Sequence, residues 1–403
     1  MARYVNAFEC EKPVVVVSAV RTAIGKFGGA LAGFTAVDLA SRAGAEAINR
    51  AGIEPGEVDE VILSNARQAG VGPNPGRAVV PLLGLPEHVP GWTVNMACGS
   101  GLKALEAAYQ TIACGAAETV LVVGTEAMSQ IPYLLLGARW GYRLGNDVLH
   151  DGLQKDGFIC AITHQHMGMT AENVACKYGI ARAESDEYSV LSQNRAEAAI
   201  KAGYFTSQVV PIEMPRRKGP AVVFAQDEHP RFGSTVAGVA GLKPVFKDEG
   251  IVTAASASGI TDGAAALVLM SGGVAAARGL KPLLRLRSIA SAGVDASCMG
   301  LGPVPATQKA LAVAGLQMKD IGLIEINEAF APQVLACERD LGYSREIANV
   351  DGGAIALGHP IGMTGVRLIV ALAHAMPRMG AALGLATLCI NGGMGMAVVV
   401  ERV

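Results

Sequence analysis

Short runs of β-branched residues, Val14 to Val17, Val120 to Val123 and Ala397 to Val400, alternate with alanine-rich stretches of helical spacing such as Ala36 to Ala51 and Lys103 to Ala113. The runs are too continuous for strands with one wet face. They read as strands buried on both sides with helices covering them, which is the α/β class. The uncharged run from Met379 to Val400 is long enough to raise the question of a membrane span, but Asn391, Gly392, Gly393 and Gly395 interrupt it. Two buried strands joined by a glycine turn account for it better.

The two ends of the chain share one pattern. Ala51 to Asn65 reads AGIEPGEVDEVILSN and Ala314 to Asn327 reads AGLQMKDIGLIEIN: a helix end, a turn, an acidic step, and a strand closing on Asn. A glycine-bearing helix start follows each Asn, with Cys98 after the first and His359 after the second at intervals that differ by one residue. A duplicated βα half is the expected organisation, with 1–128 plus 254–280 as the first half and 281–403 as the second. The stretch 129–253 has more charge and the polar run MPRRKGP at 214 to 220, and is expected to be an inserted loop subdomain. Insertions leaving a sheet at its strand ends commonly build substrate sites, because ligands bind in the crevice there.

Composition narrows the partners. The 403 residues are 51% hydrophobic and 17% charged, enough for a large core and free of low-complexity tracts. A formal net charge of −2 gives no electrostatic footprint for nucleic acid or an acidic membrane surface, so small molecules are the expected partners. Eight cysteines, at 10, 98, 114, 160, 176, 298, 337 and 389, include no CxxC pair and are too sparse for a disulfide scaffold. Reduced thiols in a cytoplasmic setting are expected.

Three segments carry candidate chemistry. Val94 to Leu105 reads VNMACGSGLKAL, which places Cys98 at a strand-to-helix turn. A thiol at a helix N-terminus is expected to have its pKa lowered, although a buried structural cysteine fits the same residues. Gly352 to Gly365 reads GGAIALGHPIGMTG and holds His359 at a second helix start, where the dipole favours a neutral ring. Leu388 to Gly395 reads LCINGGMG, a strand end carrying Cys389 into a glycine turn that lets a backbone N–H approach a ligand; an ordinary hairpin is the plainer alternative. Asn327, closing its strand, suits either an oxyanion contact or a helix N-cap.

The segments CGSGL at 98 to 102, NEAF at 327 to 330, GHPIGMTG at 358 to 365 and CINGGMG at the C-terminus together resemble the thiolase family; VRTAIGKFGG at 20 to 29 and GMTAEN at 168 to 173 agree. The resemblance implies two βαβαβαββ halves in a layered α/β/α/β/α arrangement, with the insertion serving CoA binding and oligomer contacts. It implies Cys98 as the acylated nucleophile, His359 as its activator and Cys389 as the acid/base at the α-carbon. Asn327, through a water, and His359 would form one oxyanion hole; the backbone N–H groups of Cys98 and Asn391 would form the other. His166, Met167, Arg231, Phe246, Ala254, Ser258 and Phe330 would line the CoA channel. No cofactor is implied, since the CoA thioesters are substrates. Pro132 to Gly145, PYLLLGARWGYRLG, resembles the biosynthetic type, which interconverts acetyl-CoA and acetoacetyl-CoA and assembles as a homotetramer or homodimer. The broader 3-ketoacyl-CoA thiolases are the alternative.

The chain departs from the family pattern at Asn391, usually Gly, and at Ala255-Ser256, usually Gly-Asn. A backbone donor survives at 391, but the Asn side chain is expected to enter a crowded site. Three other readings compete: a ketosynthase, which Cys389 in place of a second histidine opposes; a metal site from Cys98, Cys389, His164, His166 and His359, which lacks zinc-motif spacing; and a catalytically inactive thiolase-like binding protein.

Overall fold

A computed structural model describes residues 12–214 and 219–403; Cys10 and positions 215–218 of the MPRRKGP run lie outside the described residues. The first half contributes β1 (Val14–Thr22), β2 (Glu60–Ser64), β3 (Gly91–Val94), β4 (Thr119–Ala127) and β5 (Thr261–Ser271); the second contributes β6 (Leu284–Gly293), β7 (Leu323–Ile326), β8 (Leu383–Ile390) and β9 (Met394–Arg402). Hydrogen bonding orders them β7-β8-β9-β6-β1-β5-β4-β2-β3, and two-residue strands at Gly25–Lys26 and Val209–Val210 complete an eleven-stranded sheet.

The duplication read from AGIEPGEVDEVILSN and AGLQMKDIGLIEIN is present in the topology. β2 runs parallel to β4, which pairs antiparallel with β5, which pairs antiparallel with β1. In the second half β7, β8, β9 and β6 repeat those directions. Register shifts fall at matching places, between Val16 and Ser18 and between Leu286 and Ser288. Within the sheet the halves meet where β1 pairs with β6, at Val15–Arg285 and Val16–Leu284.

Seven helices matter for the site: α1 (Ala36–Ala51), α2 (Ser100–Ala113), α3 (Met167–Tyr178), α4 (Arg182–Lys201), α5 (Pro303–Ala314), α6 (Ala331–Leu341) and α7 (Ile361–Met379). α1 packs on β1, β4 and β5, and α5 on β6 and β9, as outer layers. α2 and α7 pack together in the middle, where α7 meets β4 and β5 on one side and β7 and β8 on the other. A helix between two sheets needs apolar residues all round, and every residue from Ile361 to Val370 is buried. The glycines set the spacing of this layer: a Cβ on Gly101 would stand 2.7 Å from the Val366 nitrogen, and one on Gly365 would stand 2.8 Å from the Gly101 carbonyl carbon. The two helix starts therefore touch backbone to backbone.

Where the second half turns from β8 to β9 through Asn391–Gly393, the first half leaves β4 at Ala127 and returns to β5 only at Thr261, carrying α3 and α4 in between. The Met379–Val400 run is the end of α7 and the β8–β9 pair, with Cys389 opposite Gly395. Among the described residues no helix is long and apolar enough to cross a membrane.

Candidate active site

The candidate residues come from the carboxyl ends of β3, β7 and β8 and from the loop ahead of α7, where ligands bind in open α/β sheets. Cys98 sits just ahead of α2 in a turn that a non-glycine residue must strain to make: Ala97 has φ 48°. Side chains hold that strain in place. Asn95 Oδ1 accepts from the Ala97 N–H at 2.9 Å, and Ser100 Oγ accepts from the Met96 N–H at 2.8 Å while donating to the Ala97 carbonyl at 2.6 Å.

The backbone N–H groups of Asn391 and of Cys98 itself donate to the Cys98 sulfur. The thiol differs from the sequence expectation, because burial raises its pKa against the opposing pull of Arg67 and these two donors. Cys98 is therefore a thiol at rest.

His359 carries no charge either. It is 7% exposed, and its pKa is lowered to about 3, first by burial and then by the positive charges of Arg367 and Arg67. The ring is neutral, as expected, with desolvation the leading cause and the nearby cations next. Thr364 fixes the tautomer: its hydroxyl donates to the Pro360 carbonyl at 2.9 Å and faces His359 Nδ1 at 2.6 Å, so Nδ1 carries the hydrogen and Nε2 is left bare. The His359 backbone N–H donates to the Gly259 carbonyl at 3.0 Å, and Gly358 before it has φ 97° with Thr261 against its α-carbon, a position only glycine fits.

Asn327 Nδ2 stands 3.4 Å from His359 Nε2, while its buried Oδ1 has no protein partner, so the amide has an acceptor free for a small polar ligand. Cys389, one residue from the end of β8, is fully buried; burial first, and then the charge of the Cys98 sulfur, push its pKa well up. Cys98, His359, Cys389, Asn327 and Asn391 thus converge.

The residues expected along the CoA channel form two adjoining groups. His166 caps α3, its Nδ1 accepting from the Gly168 N–H at 3.0 Å, and its ring stacks on Phe246 at 4.7 Å; Phe246 meets Phe330 edge-on at 6.1 Å. Met167 and Phe330 share an apolar cluster with Cys389. Arg231 and Ala254 line a crevice with His229 and Ser234, and the Ser258 N–H donates to the Ala329 carbonyl beside Phe330 at 3.0 Å. Of the residues named for a metal, His164 lies apart in a surface crevice with His150 and Lys155, and no three His, Cys, Asp or Glu among the described residues are placed to hold an ion.

Family models for "Thiolase, N-terminal domain" and "Thiolase, C-terminal domain" match residues 14–273 and 280–402. The chain belongs to the thiolase family. It is 53% identical over 392 residues to an acetyl-CoA acetyltransferase of Escherichia coli, covering 97% of this thiolase and 99% of the relative. The crystal structure of a Bacillus anthracis acetyl-CoA acetyltransferase is similar at TM-score 0.95 and 45% identity, covering 98% of this chain and 100% of that one. Human mitochondrial 3-ketoacyl-CoA thiolase in complex with CoA is similar at TM-score 0.93 and 41% identity, covering 97% and 98%.

The departures in this thiolase have local explanations. Asn391 lacks the left-handed backbone that would favour glycine, and its side chain donates to the Gly157 carbonyl at 3.0 Å rather than crowding the sulfurs. Ser256 closes its own turn, Oγ accepting from the Thr253 N–H at 2.8 Å. Motif reading missed Thr364, although it lies inside GHPIGMTG, and also Glu126 and Arg67. Buried Glu126 accepts from Asn65 Nδ2 and from the N–H groups of Ala66, Arg67 and Gly362, tying the end of β2 to the start of α7. A histidine next to a hydroxyl five residues on was the one signal available for Thr364.

Proposed function

We propose that this thiolase is an acetyl-CoA C-acetyltransferase, joining two molecules of acetyl-CoA into acetoacetyl-CoA and CoA, and running in reverse as thiolysis. His359 Nε2 takes the Cys98 proton, and the sulfur attacks the thioester carbonyl. The oxyanion is met by the N–H groups of Cys98 and Asn391, the same two that already donate to the sulfur. Collapse expels CoA, which takes the proton back from His359 and leaves acyl-Cys98.

A second acetyl-CoA then loses its α-proton to Cys389. A protonated thiol cannot accept one, so Cys389 must first pass its own proton to His359 Nε2, which the departing CoA has left bare. The enolate oxygen is held by His359 Nε2–H and by a water on Asn327, whose Oδ1 is free for it. Attack of the carbanion on acyl-Cys98 releases acetoacetyl-CoA and returns the sulfur to its starting state. His166, Met167, Phe246 and Phe330 would flank the pantetheine, with Arg231, Ala254 and Ser258 towards the nucleotide end. The neutral, tautomer-fixed His359 at a helix start touching that of Cys98 is the observation that carries the mechanism.

The 129–253 insertion is proposed to serve CoA binding and assembly as a dimer of dimers or a dimer. In support, it exposes Trp140 to 85% and Leu144 to 100%, side chains costly to leave in water. A cytoplasmic setting fits the seven free thiols among the described residues.

The deciding experiment compares kcat/KM for thiolysis of acetoacetyl-CoA and of an eight-carbon 3-ketoacyl-CoA, in wild type, Cys98→Ala and Cys389→Ala. Strong preference for acetoacetyl-CoA supports the acetyltransferase; equal or better use of the longer substrate moves the chain to the 3-ketoacyl type, towards the human neighbour. Cys98→Ala should abolish turnover, whereas Cys389→Ala should still be acetylated by acetyl-CoA without condensing it. Turnover independent of Cys98 would refute the mechanism.

A further inference from the structure

Arg67 follows the strand end at Asn65 and is 6% exposed. Its backbone N–H is anchored on Glu126 at 3.0 Å, and the Glu126 carboxylate feels its charge, but among the described residues the guanidinium makes no direct ion pair: Nη1 reaches the Ala66 carbonyl at 3.4 Å, and buried Nε has no partner. Burying a cation without a direct ion pair is costly, so what this one acts on bears on why it is there.

Its surroundings say what that is. The guanidinium rests on Gly157, where a Cβ would stand 2.7 Å from Nε and 3.1 Å from Cζ. The Gly157 carbonyl accepts from the side chain of Asn391, whose backbone N–H donates to the Cys98 sulfur. Ala66, Met128, Leu153, Ile361, Phe158 and Cys98 pack as one apolar cluster around this corner, a low-dielectric setting in which an unscreened charge acts strongly.

We propose that Arg67 is a positioning residue of the reaction, a buried guanidinium that shares its corner with Glu126 without a direct ion pair and holds negative charge on the Cys98 sulfur while His359 carries its proton. The step is a single proton transfer, Cys98 Sγ to His359 Nε2, with no other bond made or broken. It rests on the proposed role of Cys98 as nucleophile. Other groups face the sulfur too: Glu126 opposes Arg67 from the end of β4, Cys389 is a protonated thiol, and His359 is neutral with Arg367 beyond it. On the segment over Arg67, Lys155 and Asp156 are exposed and Asp151 half-buried, so solvent screens them more than it does Arg67. Removing Arg67 leaves the opposing charge of Glu126 acting on the sulfur, which makes the thiolate harder to form.

The test is the pH dependence of Cys98 alkylation by iodoacetamide in the full-length protein, read on the Cys98 peptide by mass spectrometry, for wild type, Arg67→Met and Arg67→Lys. The Met variant should move the inflection upward by about one pH unit or more, slowing alkylation below it by roughly tenfold, and Lys should restore most of the shift. In turnover, kcat should fall while KM for acetyl-CoA changes little. An inflection unmoved in folded Arg67→Met overturns the proposal; if that variant does not fold, Arg67→Gln, which keeps a donor without the charge, decides by the same criterion. If wild-type Cys98 is neither alkylated nor acylated, it is the nucleophile assignment that fails, and Arg67 loses its role with it.

Discussion

Replacing Thr364 by Val keeps the shape of a fully buried side chain and removes the oxygen that sets the His359 tautomer. In wild type the hydroxyl spends its one hydrogen on the Pro360 carbonyl and offers lone pairs to Nδ1–H. With Val, the hydrogen on Nδ1 is buried without an acceptor, a penalty of about 1–3 kcal/mol. The ring can escape by moving the proton to Nε2, but Nε2 is then no longer a base, and it faces Asn327 Nδ2, itself a donor, at 3.4 Å. Either outcome raises the barrier to deprotonating Cys98 by a similar amount, so kcat for acetoacetyl-CoA thiolysis should fall roughly 5- to 150-fold. KM should change little, because Thr364 lies behind the ring. Thr364→Ser should recover most of the rate. The assay is steady-state thiolysis of both variants beside wild type, with circular dichroism to establish folding. A folded Thr364→Val within about twofold of wild type would refute the tautomer argument.

Three further outcomes follow from the same geometry. Asn391→Gly keeps the backbone donor and loses the hydrogen bond to Gly157, so thiolysis should stay within a few-fold while stability drops by about 0.5–1.5 kcal/mol and exchange of amides 154–158 quickens; protection unchanged by hydrogen-exchange mass spectrometry would count against the brace. Gly365→Val should cost 3 kcal/mol or more (order of magnitude, as for severe overpacking) or prevent folding, since its Cβ would meet the Gly101 backbone; a melting temperature within a few degrees of wild type would sink the packing argument. His359, with a folded pKa of about 3 against ~6.5 unfolded, binds its proton only in the unfolded state between those values. Its stabilising contribution is thus complete above pH ~6.5 and lost at about 1.4 kcal/mol per unit as pH falls below it. Urea midpoints should therefore decline more steeply between pH 7 and pH 5 in wild type than in His359→Asn, and parallel slopes would rule the burial out.

Much of the frame was legible because duplication writes itself twice. The AGIEPGEVDEVILSN and AGLQMKDIGLIEIN stretches are both a helix end, a 3-10 turn and a strand, and Cys98 and His359 follow them onto helices that touch at Gly101 and Gly365. The glycines of CGSG read as signs of a reactive turn. Their structural task is broader, since Gly101 sets the distance between the two middle helices. Charge was harder to read. The helix-terminus argument gave a lowered Cys98 pKa because a sequence shows a helix start but not what packs around it, and desolvation outweighs Arg67 and the backbone donors.

Asn391 and Arg67 show the same limit from the other side. Taken within CINGGMG, Asn391 looks like a lesion in a catalytic turn, and Arg67 in SNARQAG looks like an ordinary polar residue after a strand. Both acquire their roles from Gly157, in a part of the insertion that no motif marks: one side chain donates to its carbonyl, the other lies against its α-carbon. A side chain at 157 would collide with the guanidinium, so the insertion, the turn after β8 and the loop after β2 must fit one another at this corner. If that is so, Gly157→Ala, far from any reacting atom, should disturb Cys98 through Arg67 and the brace through Asn391, and the two effects should separate: Arg67→Met should move the alkylation profile and Asn391→Gly the loop protection, each leaving the other unchanged.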